Sequence, residues 1–191
     1  MEREIYRADS NCEDNLMKII ETKLGGVYIV ELKPFADERG FYKRLWGKDE
    51  LTTLGLDAEL NNVGLSSNKR RGTVRGMHYQ AEPFAETKIV QCVRGKIYDV
   101  ILDIRRGSET FGKWISVKLS AEENRAVYIP KGLAHGFQTL ADDTEVLYFI
   151  SEKYDKDSGR GVRWNDMRFG IEFPLAVSVI NERDATYADY E

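Results

Sequence analysis

The sequence predicts an all-β domain of the sandwich or barrel kind, from three observations: apolar runs rich in β-branched and aromatic residues, one alternating run, and turn clusters at short intervals between them. Residues 27–32 (VYIVEL) form the first such run. Residues 48–54 (KDELTTL) are the one credible helix, with Asp49 and Glu50 early and Gly55 at its end. Residues 96–104 and 145–150 are long apolar strands, and in residues 114–119 (WISVKL) apolar side chains alternate with others, as in a half-buried strand. Between them, residues 106–110, 121–125 and 141–144 carry the Gly, Ser, Asn and Asp of turns. There is no internal repeat, low-complexity tract or linker.

The chain of 191 residues is one-domain length and buries a core without cross-links. A composition of 42% hydrophobic and 31% charged residues indicates neither disorder nor a membrane span. The net charge is -4, with Lys and Arg interspersed among acids, so no nucleic-acid partner is expected; a small anion held by a few local cations is compatible. Cys12 and Cys92 lie far apart without a CxxC or metal-ligand neighbour and read as free thiols in a reducing compartment. The charged start Met1-Glu2-Arg3-Glu4, with no apolar run behind it, predicts no signal peptide and a cytoplasmic protein. Residues 1–24 read as an N-terminal extension plus the first element, and 25–191 as a single domain.

The chain has two histidines, His78 in the segment RGMHYQ and His135 in PKGLAHGF. Chemistry near neutral pH that needs a switchable proton carrier must use these. The two segments resemble the halves of a cupin. Many cupins hold a metal through a His-x-His pair plus a carboxylate on the first motif and one His on the second. Here Gln80 stands two residues after His78, so the ligand set falls short and no metal or other cofactor is expected.

Further residues make the resemblance specific. DERGF at 37–41, RGMHYQ at 75–80, KIV at 88–90, YDV at 98–100, GKW at 112–114, IPKGLAHGF at 129–137, Tyr148, WND at 164–166 and ERD at 182–184 occur in the order and spacing of the dTDP-4-dehydrorhamnose 3,5-epimerase family. The resemblance covers residues 25–184. It implies a metal-free cupin jelly roll (a double-stranded β-helix with a few short helices), usually a homodimer, that epimerises a nucleotide-linked 4-keto-6-deoxysugar.

Such chemistry matches the residues supplied. A proton beside a ketone is acidic because the carbanion delocalises onto oxygen as an enolate, and epimerisation removes it from one face and returns one to the other. A base and an acid must therefore stand on opposite sides of the sugar. His78 is the candidate base, since an imidazole of pKa ~6.5 is largely neutral at pH 7. By the resemblance, Asp166 is the carboxylate that orients it, Lys88 faces the C4 oxygen, and Tyr148 is the general acid, a phenol of pKa ~10. Without the resemblance, Lys88 and Asp166 read as surface charges and Tyr148 as packing in a strand. Arg75 and His78 fall on opposite faces of a strictly alternating strand, but Gly76 between them invites a bulge that re-aims one of them.

For binding, the resemblance places Arg39 and Arg75 on the diphosphate, where planar guanidinium groups match phosphate oxygens, and Tyr154 against the nucleotide base. Tyr154 reads equally as an exposed loop residue. His135 reads equally as a substrate contact or a structural imidazole, and Ser66 and Asn68 suit a polar lining. The chain departs from the family's pattern on the nucleotide side: Lys43 stands where a Glu is frequent, residues 61–68 lack the Gln-x-Asn cluster, and Gly159 falls where a further Glu is found. The reading adopted is an epimerase of the type that acts at both C3 and C5; the alternatives are one acting at C3 or C5 alone on another nucleotide diphosphate sugar, a non-catalytic cupin that binds a sugar nucleotide, and, against Gln80, a metal-dependent cupin.

Overall fold

A computed structural model describes residues 17–191. The polar extension, with Cys12, lies outside the described residues. The chain forms strands β1 (Met17–Glu21), β2 (Tyr28–Leu32), β3 (Pro34–Asp37) and β4 (Gly40–Lys43), then helix α1 (Lys48–Thr53). There follow β5 (Asn62–Asn68), β6 (Val74–Gln80), β7 (Lys88–Arg94), β8 (Lys96–Asp103), β9 (Trp114–Ser120), β10 (Arg125–Ile129), β11 (Leu133–Thr139), β12 (Thr144–Ile150), β13 (Gly159–Gly161) and helix α2 (Glu182–Ala185).

A six-stranded sheet, in the order β1-β2-β10-β7-β12-β5, packs on a five-stranded sheet, β13-β6-β11-β8-β9, and β3 with β4 makes a separate hairpin. Every strand pairing within these sheets is antiparallel. This is the expected two-layer β architecture. Its core lies between the sheets: Val90, Cys92, Val127, Ile129 and Val146 from one meet Ile97, Ile101, Leu119, Leu133 and Phe137 from the other. Alternation then explains the outer faces. Residues of the opposite parity on the six-stranded sheet, Ile19, Val30, Ala126, Tyr128 and Ile89, are covered by Leu51 of α1 and Leu54 at its C-cap. Burial pushes the Cys92 thiol up to about 11, so it behaves as a small core hydrophobe.

The segment expected to be helical is α1, and Gly55 follows it at φ +73°, the left-handed conformation that ends helices. β2 has both edges filled within the chain, by β1 and β10. Along residues 19–32, strand pairing with a second subunit is therefore open only at the outer edge of β1, an edge strand among the described residues.

The bulge invited by Gly76 is present. β6 and β11 are in register at His78 and His135 and again at Arg75 and Phe137, three residues on one strand against two on the other. The extra residue turns Arg75 and His78 toward the same cavity, against strict alternation. Only glycine fits here: at Gly76, with φ +119°, a Cβ would lie 2.5 Å from the Cα of Gly136.

Candidate active site

Between the two sheets opens a cavity of about 330 Å³, lined by Arg75, His78, Lys88, His135, Tyr148 and Tyr154 among others. It brings together seven of the ten residues singled out in the sequence as catalytic or binding, these six and Ser66. The walls are supplied by different layers. His78 and His135 come from β6 and β11 of the five-stranded sheet, and Lys88 and Tyr148 from β7 and β12 of the six-stranded one.

His78 is held by a carboxylate, but not by the expected one. Its Nε2 lies 2.7 Å from Oδ1 of Asp184, which is fully buried, and Oδ2 of Asp184 accepts from the Gly76 N–H at 2.9 Å. Burial alone would raise the Asp184 carboxyl; the bonds from His78 and Gly76 outweigh it and leave the carboxyl below its ordinary value. Asp166 sits elsewhere, accepting from the N–H groups of Arg168 and Tyr190 at 2.9 and 2.8 Å, and so ties down the C-terminal segment. Asp184 was missed because it stands 106 residues from His78. The available signal was Asn181-Glu182-Arg183-Asp184, an N-cap followed three residues later by an acid: Asn181 caps α2 by accepting from the Asp184 N–H at 2.7 Å.

With Nε2–H donated to Asp184, Nδ1 of His78 carries the lone pair. The Lys88 ammonium, 10% exposed, lies 2.8 Å from Glu86 and 3.4 Å from the carbonyl oxygen of His78. Tyr148 Oη is 3.4 Å from Ser66 Oγ, and burial pushes its phenol well above the ordinary tyrosine value, against the smaller downward effects of Ser66 and Arg75. Its ring meets that of His135 edge-on at 6.3 Å. His135 is itself buried and bonded through Nε2 to Asp99 at 2.7 Å. His135 is therefore both interior and at the cavity wall.

Asn68 takes a supporting place: it is buried, and its Oδ1 accepts from Arg75 Nε at 2.7 Å, fixing the guanidinium instead of lining the cavity. Tyr154 is 63% exposed at the rim. Arg39 does not reach this cavity; it lies exposed on the β3–β4 hairpin, paired with Asp37. The cavity wall also carries Arg160 and Arg183, two cations, and Glu86, none of which stands out in the sequence as a binding residue. Arg183 lies over the ring of Tyr187, 5.6 Å from its centroid.

Gln80, in the place of a second metal-binding His, is committed elsewhere. Its Nε2 contacts Phe84 O at 3.0 Å, Glu86 Oε2 and Lys153 O at 3.1 Å, while its Oε1 accepts from the Asp155 N–H at 2.7 Å. Among the described residues no group of three or more His, Cys, Asp or Glu is arranged to hold a metal ion.

What these walls belong to is a jelly-roll cupin, an isomerase by class. The chain belongs to the dTDP-4-dehydrorhamnose 3,5-epimerase family, whose model matches residues 21–191. It is 40% identical over 169 residues to the dTDP-4-dehydrorhamnose 3,5-epimerase of Shigella flexneri, covering 88% of this chain and 93% of that one. Among solved structures, the Bacillus anthracis dTDP-4-dehydrorhamnose 3,5-epimerase with TDP and PPi bound is 38% identical with a TM-score of 0.88, over 91% of this chain and 99% of that one. The dTDP-6-deoxy-D-glucose-3,5-epimerase of Legionella pneumophila, in complex with dTDP-4-keto-L-rhamnose, is 34% identical with a TM-score of 0.84, over 88% of this chain and 90% of that one.

Proposed function

We propose that this protein epimerises a nucleotide-linked 4-keto-6-deoxyhexose, of the dTDP-4-dehydro-6-deoxyglucose type, at C3 and C5. The observation that carries the reading is the approach of His78 and Tyr148 to one cavity from different sheets, with Lys88 beside them. A binding protein has no need of a base and an acid on separate walls. Nδ1 of His78 takes the proton next to the ketone; the electron pair of that C–H bond becomes the C=C bond of the enolate as the carbonyl π pair moves onto O4. The Lys88 ammonium stabilises the enolate, a contribution of roughly 2.7–4 kcal/mol for one preorganised donor. As the carbonyl re-forms, the electron pair returns to carbon and takes the Tyr148 proton on the opposite face. Arg75, Arg183 and Arg160, which line the same cavity, supply the charge for the diphosphate, and Tyr154 at the rim supplies a face for the base.

The experiment is proton NMR of dTDP-4-keto-6-deoxyglucose in deuterated water containing EDTA. Inverted product carrying solvent deuterium at C3 and C5 is expected. Deuterium at one carbon only would favour a single-site epimerase, and activity that appears only on adding a metal would overturn the reading.

The pairing of His78 with Asp184 gives a second expectation. Asp184→Asn keeps the size but turns the acceptor into an amide, so turnover falls by roughly 10⁴ through loss of the tautomer and of imidazolium stabilisation. Asp166→Asn, remote from the cavity, lowers the melting temperature and leaves kcat near wild type. The opposite ranking of kcat in the two folded variants would return the role to Asp166.

The assembly in this proposal is a cytoplasmic homodimer without nucleic-acid or membrane partners. No helix of the described residues is long and apolar enough to cross a membrane. Support for a dimer comes from the hairpin, where Phe41 and Tyr42 are 64% and 62% exposed, and from Val63 and Leu65 on edge strand β5, 56% and 59% exposed. Arg39, outside its own cavity, keeps a diphosphate role only where the hairpin reaches the partner's.

A further inference from the structure

Lys88 and Glu86 form an ion pair almost closed to water, with side chains 10% and 11% exposed. One carboxylate oxygen of Glu86 meets the ammonium at 2.8 Å, and the other accepts from Gln80 Nε2 at 3.1 Å. Gln80 in turn is bonded to Phe84, Lys153 and Asp155, so it joins the loop before β7 to the loop that carries Tyr154. Among the described residues the only other contact recorded for Lys88 Nζ is the 3.4 Å approach to the His78 carbonyl, too long to fix it. A lysine has a flexible four-carbon stem and three donors. Without a partner here, its aim is not set.

We propose that Glu86, itself held by Gln80, is the positioning residue that aims Lys88 at the substrate's C4 oxygen. It holds one N–H and leaves the other donors for the enolate, and it supplies the counter-charge without which a buried ammonium is strongly disfavoured. This rests on the reading of Lys88 as the cation that stabilises the enolate. A carboxylate at 2.8 Å also damps the field of the ammonium. If that damping dominated, removing the carboxylate would accelerate proton abstraction, so the sign of the effect separates the two roles.

The test is a double-mutant cycle of Glu86→Gln and Lys88→Met, read as solvent deuterium uptake by dTDP-4-keto-6-deoxyglucose at saturation, with melting temperatures as a check on folding. Glu86→Gln in the otherwise wild-type protein is expected to lower exchange by about 10²-fold, the scale of a catalytic group displaced by 1 Å, with KM little changed. In the Lys88→Met background the same substitution should have no further effect, since nothing remains to be aimed. Equal losses in both backgrounds, unchanged exchange, or faster exchange in Glu86→Gln would each overturn the proposal. Wild-type exchange by Lys88→Met would instead show that the reading of Lys88 is wrong. Should Glu86→Gln fail to fold, Glu86→Asp keeps the charge with a shorter reach, and its loss of exchange should likewise vanish with Lys88→Met.

Discussion

His78→Ala and His78→Asn should each lower turnover by roughly 10²–10⁴, the usual worth of a positioned base, in a protein that remains folded. The side chain is 38% exposed, so its removal opens no closed cavity in the core. Its main stabilising contact is the bond to Asp184, and the Asn amide can still donate to that carboxylate. His78→Asn should therefore melt closer to wild type than His78→Ala, while both lose the lone pair that Nδ1 offers. No other described side chain can replace it: His135, the second imidazole, is buried and committed to Asp99. A folded His78 variant that takes up solvent deuterium at the wild-type rate would remove His78 from the mechanism.

Tyr148→Phe should separate the two halves of the reaction. The substitution deletes one oxygen and keeps the ring that packs against His135 and the inter-sheet core. Base and Lys88 cation are untouched, so abstraction and return on the same face through His78 persist. In deuterated water the variant should still exchange the proton beside the ketone while inversion falls by roughly 10²–10⁴, the range for a lost general acid. Burial makes the phenolate left on Tyr148 costly, and the Ser66 hydroxyl and Arg75 are the groups that ease it. A purely packing role for Tyr148 predicts a lower melting temperature with the ratio of exchange to inversion unchanged. Exchange and inversion falling together in a folded variant would contradict the two-face scheme.

The legibility of the fold followed the strength of local patterning. β2, β8, β9 and β12 lie where apolar runs mark them, and α1 lies between its early acids and Gly55. The β3–β4 hairpin is different. All four residues of β3 are exposed, so no buried face imprinted a period on it. β13 is three residues long, too short to carry a pattern. At the site, Gly76 was a readable sign because a glycine between two functional residues allows both a bulge and the close pass of Gly136. Asn68 looked like lining because it is polar. That its oxygen would be spent on Arg75 depends on β5 and β6 being brought together, which no local signal states.

By itself, then, the sequence determined the two-layer β architecture and the side chains on offer: an imidazole, an ammonium, a phenol, and Gln80 where a metal-binding cupin carries a second histidine. Alternating burial and residue chemistry are local properties, written every few positions. Only the tertiary structure decided which carboxylate serves His78, that Arg39 stays out of its own chain's cavity, and that Glu86 meets Lys88. Those are matters of distance at the scale of a hydrogen bond, and the chain sets them by joining distant segments, as where α2 returns to β6 and brings Asp184 to His78.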